Sequence, residues 1–259
     1  MWQPDGAGWR ARIGLISAHL DLAPESEFWT MAPAGVSVHV TRVPLSVMGP
    51  GGEITPQGVM DGIRAFAEPP LVDEAAALLA SNSLNAIVYG FTSSSYLLGA
   101  EGDRALKARL EGRTSGIPVL IPCLSTIRAL RALGVSRIAL VDPPWFPPEL
   151  DEMGARYFAG QGCKVVFHAS APVRRGPGEV YPSQIYEWVR ANVPESAEAV
   201  VIGGTGFRAI GAIAALEQDL AVPVLTANQV ALWEALRLAR LQVPVPGYGA
   251  LFTRQLSDS

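Results

Sequence analysis

Two short segments, FTSSS (91–95) and GGTGF (203–207), each follow an apolar run and bring small hydroxyl or glycine residues to a turn. Thr92, Ser93 and Ser94 offer hydroxyls, and the first amides of a helix entered from a strand lack internal partners. Gly204, Thr205 and Gly206 allow close backbone approach and supply a second set of amides. Two such tips, facing one another, suit a carboxylate and the enolate oxygen that develops when a bond beside it breaks. Ordinary helix caps and turns account for the same residue types, and composition alone leaves both readings open.

Four residues are candidates for proton transfer. His19 follows the first apolar run and can overhang a cleft; Cys123 stands just after PVLIP, where a helix begins and a thiol pKa can fall. Asp142 ends the run RIALVD, and Ser94 lies inside the hydroxyl cluster. The plainer alternatives are a solvated imidazole, an inert buried thiol and a capping carboxylate. GGTG lacks the Lys-Ser/Thr of a phosphate loop and the full glycine spacing of a dinucleotide fingerprint. No paired histidine or cysteine spacing suggests a metal, so neither metal nor cofactor is expected.

The elements that would position these residues are short β-branched runs alternating with helical stretches. ARIGLIS, VSVHVTRV, NAIVYGF, PVLIP, RIALVD, KVVFHA, EAVVIGG and PVLTA read as strands, and their near-continuous apolar character suits parallel strands covered on both faces. DRALKARLEGR, STIRALRALG, PELDEMGARYFAGQG, FRAIGAIAALEQDL and NQVALWEALRLARL read as helices, with Gly134 and Gly160 or Gly162 as stops. Three of these segments recur in order: RIGLIS as RIALVD, NAIVYGFTSS as EAVVIGGTGF, and IPVLIP as VPVLTA. The offsets of about 105–125 residues fit a duplicated half and not a solenoid. The expected architecture is α/β, with two similar lobes each built on a mostly parallel sheet. Residues 1–122 plus 233–259 would form the N-terminal lobe and 123–232 the C-terminal lobe. Ligands of such sheets gather at the carboxyl ends of the strands, which puts FTSSS and GGTGF on facing walls.

The 259 residues carry a net charge of −4 with no basic cluster, which argues against nucleic acid. No stretch approaches the ~20 apolar residues of a membrane span, and the N-terminal MWQPDGAGWRARIGLIS has no signal-peptide pattern, so a cytoplasmic protein is expected. The apolar stretch VALWEALRLARL is compatible with a homo-oligomer.

The order and spacing of RIGLIS, TPQGV, NAIVYGFTSSSY, IPVLIPCLSTIRALRALGVSRIAL, AVVIGGTGFRAIGAIAALEQDLAVPVLTANQVALWEALR and PGYGALF resemble the aspartate/glutamate racemase superfamily, in its maleate isomerase and arylmalonate decarboxylase branch. The resemblance covers most of the chain and implies two pseudo-symmetric flavodoxin-like lobes with the active cleft between them. It also implies cofactor-independent chemistry at a carbon beside a carboxylate. Members of that superfamily place a cysteine on each wall, and the decarboxylase branch keeps only the second. At those positions this chain has Phe91 and Gly204, so both cysteines are replaced and the cleft is narrowed on one side and widened on the other. The tyrosine that follows the RIAL-type strand in the decarboxylases falls here on Asp142-Pro143-Pro144-Trp145.

The resemblance therefore implies a lyase or isomerase of a small malonate- or maleate-type acid. Thr92, Ser93, Ser94, Gly204, Thr205 and Gly206 would hold the carboxylate. Cys123, His19, Ser94 or Asp142 would supply the displaced proton donor. The alternative is a carboxylate-binding homologue without turnover. Hydrolysis by a serine of TSSS is a third reading, but it lacks a visible base.

Overall fold

The computed structural model of the protein describes residues 6–47, 55–172 and 179–256. The N-terminal MWQPD, part of the stretch that shows no signal-peptide pattern, lies outside them. Eight strands are described: β1 (Ala11–Ala18), β2 (Val36–Val43), β3 (Ala86–Gly90), β4 (Val119–Leu120), β5 (Arg137–Asp142), β6 (Lys164–Ser170), β7 (Ala199–Ile202) and β8 (Val224–Thr226). The helices among them are α1 (Ala23–Met31), α2 (Pro56–Ala67), α3 (Leu71–Ala80), α4 (Ser93–Glu111), α5 (Pro122–Leu133), α6 (Pro148–Gly160), α7 (Pro182–Asn192), α8 (Ile213–Leu220) and α9 (Ala227–Leu238).

The strands form two parallel four-stranded sheets with the same order, β2-β1-β3-β4 and β6-β5-β7-β8. This is the duplicated α/β architecture that the repeated segments imply. Each sheet has a central pair, β1 with β3 and β5 with β7, whose residues are almost all buried, whereas the edge strand β6 is mostly half-exposed. The apolar runs persist where helices cover both faces and break into polar positions where one face is open.

Caps and glycines set the helix ends. The Thr55 hydroxyl accepts the Gly58 amide at 3.0 Å to open α2, and Gly134 closes α5 in the left-handed region at φ 72°. α4 begins at Ser93, well before DRALKARLEGR, and is broken at Gly99 (φ 70°, ψ 177°). The helix expected over FRAIGAIAALEQDL is shorter than its pattern. Residues 203–209 are irregular, a 3-10 turn occupies Ile210–Ala212, and α8 starts only at Ile213.

α9 bears on a second expectation. Its residues from Ala227 to Arg237 are all buried, so most of VALWEALRLARL packs inside this chain, and only near its end is an apolar residue, Leu238, exposed. It packs against α1, α5 and β3, and it holds the closing segment PGYGALF. Gln229 Nε2 donates to the Tyr248 carbonyl at 2.7 Å, and Trp233 Nε1 donates to the Arg254 carbonyl at 3.1 Å. Among the described residues no helix is long and apolar enough to cross a membrane.

Candidate active site

β3 and β7 end at the same level of their respective sheets, and the turns that leave them meet. Thr205 joins them. Its amide donates to Thr92 Oγ1 at 3.2 Å, and its hydroxyl donates to the Gly90 carbonyl at 3.0 Å. Thr205 was expected to hold a carboxylate; both of its donors are instead spent linking the walls.

Beside this junction lies a cavity of about 160 Å³. Its walls are largely apolar, with Leu45, Val59 and Ile63 on one side and Phe91, Trp145 and Phe146 on the others. The Phe91 ring stacks at a tilt on Phe66, with centroids 4.2 Å apart, which fixes it as a wall. Trp145, from the turn after β5, meets Phe207 edge-on at 5.8 Å and closes the second lobe's side.

The polar lining is small. Thr92 and Ser93 face the cavity from the first lobe, Gly204, Thr205 and Gly206 from the second, and Asp21 from the loop between β1 and α1. The Thr92 oxygen accepts from Thr205, so its own proton is free for another acceptor. Neither the Ser93 hydroxyl nor the amides of Thr92, Gly204 and Gly206 have a partner among the described residues. These five donors belong to residues that line one cavity, and no Lys or Arg is among the described lining residues.

The second wall owes its shape to a buried acid. Glu27 of α1 accepts the Ile210 amide at 3.2 Å and Asn228 Nδ2 at 2.7 Å, and Asn228 Nδ2 also donates to the Thr205 carbonyl at 2.9 Å. These tertiary bonds take up the groups that would otherwise extend α8 backwards, which is why the helix starts late. Burial pushes the Glu27 carboxyl up to about 7, opposed by the Asn228 and backbone hydrogen bonds. A raised carboxyl pKa favours the folded state while the group is protonated, and that contribution is lost as pH rises from the ordinary glutamate range through about 7. Glu27→Gln is expected to flatten part of the fall in melting temperature between about pH 5 and about pH 8, which thermal unfolding at the two values measures.

None of the four expected proton donors is among the described residues that line the cavity. Cys123, 2% exposed in the first turn of α5, points its Sγ back toward the Thr92 carbonyl, and burial pushes its thiol pKa up, not down. Ser94 is buried and donates to the Phe91 carbonyl at 3.0 Å, completing a helix-entry turn. Asp142 is fully buried behind Gly203, where it accepts the Tyr96 hydroxyl at 3.0 Å; burial and the neighbouring Asp151 hold it protonated well above the usual range. His19 is exposed, and its Nδ1 accepts the Leu45 amide at 3.0 Å. It borders the site without lining it. Among the described residues no group of three potential ligands is arranged to hold a metal ion.

Asp21 was not singled out in the sequence. The signal available was its place just beyond β1, whose carboxyl end opens on the same cleft as β3. Desolvation pushes its carboxyl up to about 6, with Arg42 acting in the opposite direction.

A family model described as arylmalonate decarboxylase matches residues 63–252. Among characterised relatives, the arylmalonate decarboxylase of Bordetella bronchiseptica is 28% identical over 231 residues, spanning 86% of this chain and 91% of the relative. Two solved structures share the fold. The maleate isomerase Iso of Pseudomonas putida S16 superposes with a TM-score of 0.81 at 20% identity, over 94% of this chain and 98% of its own. An arylmalonate decarboxylase structure gives 0.73 at 23% identity, over 94% and 100%.

Proposed function

This chain belongs to the arylmalonate decarboxylase family, and from that premise we propose that its cavity removes one carboxyl group, as CO2, from a malonate-type acid carrying a bulky apolar substituent, without a cofactor. The observation that carries the reading is the set of five unspent donors, from Thr92, Ser93, Gly204 and Gly206, on residues that line a largely apolar cavity. One carboxylate of the substrate would rest on these donors. The other would lie among Leu45, Ile63 and the aromatic walls, where a localised charge is poorly solvated and neutral CO2 is not.

Breaking the carbon–carbon bond leaves its electron pair on the retained side as an enediolate. The hydroxyl and amide hydrogens then bind two oxygens that carry more charge than in the ground state. Such interactions strengthen in the transition state, which is the requirement for catalysis. The substituent would occupy the volume beside Phe91 and Trp145.

A ¹H NMR time course in D₂O with arylmalonates, alkylmalonates, maleate, aspartate and glutamate tests the reading. Loss of a carboxyl group from the malonates, with deuterium appearing at the α-carbon, is the expected result. Line broadening of the ligands without turnover would replace it with carboxylate binding alone, and turnover of maleate but not of malonates would replace it with isomerisation.

A further inference from the structure

Once the carbanion forms, a proton must reach it, and the cavity offers few sources. Of the described residues that line it, Asp21 alone has a side chain that titrates. We propose that Asp21 is the general acid of this site, delivering a proton from its carboxyl group to the α-carbon after CO2 departs. The inference rests on the decarboxylase reading above.

The geometry supports it in three ways. First, Asp21 extends from the first lobe to the second wall. A Cβ placed on Gly206 would lie 2.5 Å from Asp21 Oδ1 and 3.1 Å from Oδ2, so the carboxyl group lies directly over that glycine. Gly206 has no positive φ, and the glycine serves to leave room, not to permit a special backbone conformation. The acid therefore sits at the turn whose amides belong to the proposed cradle.

Second, the carboxyl group is uncommitted. Its oxygens accept no hydrogen bond from any described residue, whereas the backbone carbonyl of Asp21 accepts from Arg42 at 3.0 Å and from the Ser17 hydroxyl at 3.4 Å. Third, the cation that acts on it, Arg42, is also engaged by other groups. Arg42 forms an ion pair with Glu25 at 2.5 Å and donates a long bond of 3.5 Å to the His19 carbonyl. Its charge is thereby shared, and burial dominates the acidity of Asp21, raising it to about 6. The charged group that bears on Asp21 is Arg42 from β2, whose ion-pair partner is Glu25 of α1. The second wall contributes glycines and Thr205, with Arg208 beyond the turn.

The step balances simply. The carbon–carbon bond breaks and its pair enters the enediolate. The Asp21 O–H proton then forms the new C–H bond, leaving Asp21 as carboxylate. Water returns a proton to Asp21, so each turnover consumes one proton from solvent. Because the working form is the protonated acid, activity is present below the Asp21 pKa and declines as pH rises through about 6.

The test uses α-methyl-α-phenylmalonate, whose product is chiral, in D₂O with the wild-type protein, Asp21→Asn and Gly206→Ala. The wild type is expected to give one enantiomer in excess, with kcat/KM falling through about pH 6. Asp21→Asn is expected to lose about 10²–10⁴-fold in kcat, to give racemic residual product and to lack that decline. Gly206→Ala, which displaces the carboxyl group while retaining it, is expected to lose the enantiomeric excess as well. An Asp21→Asn protein within a factor of about three of wild-type rate and with the same enantiomeric excess would overturn the role of Asp21 and leave the decarboxylase reading standing. A wild type that decarboxylates no malonate would overturn both.

Discussion

Replacing Thr92 and Ser93 together by alanine is expected to lower kcat/KM for a malonate by at least about 10³-fold, with Ser93→Ala alone costing about 10²–10³-fold. Both side chains lie at the end of β3 with hydroxyl protons that no described residue accepts. They differ in what else they do. Thr92 Oγ1 accepts the Thr205 amide, so Thr92→Ala also leaves a buried donor unpaired, a loss of about 1–3 kcal/mol in stability. Ser93 carries no such duty and is 5% exposed, so Ser93→Ala isolates the chemical contribution. Thr92→Ser keeps the hydroxyl and is expected to retain most of the activity. Steady-state kinetics beside urea denaturation separates the two effects. Full activity in the double variant would place the carboxylate elsewhere.

Introducing a cysteine at Gly204, the position where the superfamily's second cysteine is expected, should not create a working thiol. Gly204 sits at φ 76°, and a Cβ there would lie 2.7 Å from Pro143 Cγ and 3.0 Å from its Cδ. The left-handed backbone alone costs a residue with a Cβ roughly 1–2 kcal/mol, and displacement of the proline ring adds to it. Gly204→Cys is expected to lose about 2–4 kcal/mol of stability, and Gly204→Ala about the same, because the obstacle is the Cβ and not the sulfur. The turn must shift to relieve the clash, moving the Gly204 and Gly206 amides, so turnover should fall and not rise. Chemical denaturation of both variants with a rate measurement checks this. A fully stable Gly204→Cys protein with faster turnover would mean that the turn accepts a side chain, and that Pro143 does not fix it.

Most of the scaffold was legible because its signals are local. VSVHVTRV and RIALVD are β2 and β5 to the residue: the buried β5 shows a continuous apolar run, and the edge strand β2 alternates valine with polar residues, most of which are partly exposed. The repeated order of segments also carried the two-sheet topology. Two features were not local. FRAIGAIAALEQDL has helical periodicity throughout, but Glu27 and Asn228, far away in the chain, hold Thr205 and Ile210 in an open turn.

The orientation of the strand-end residues was the other. Asp142 and Cys123 stand at the correct end of their sheets, yet Asp142 accepts the Tyr96 hydroxyl and the Cys123 thiol turns to the Thr92 carbonyl, both outside the cavity lining. A strand end identifies a level in the sheet; helix packing decides which side chains reach the cleft. Asp21 shows the converse. It lies in a loop with no repeated motif, and only the meeting of the two lobes brings its carboxyl group over Gly206.

The claim on which the account depends is that the turns after β3 and β7 together hold a carboxylate. Titration of ¹⁵N-labelled protein with phenylmalonate, followed by amide NMR, tests it without requiring turnover. The expected result is saturable downfield movement of the Thr92, Ser93, Gly204 and Gly206 amides with a common Kd, weakened in Thr92→Ala/Ser93→Ala. Shifts confined to other parts of the chain, or no saturable shift in these four amides, would contradict it.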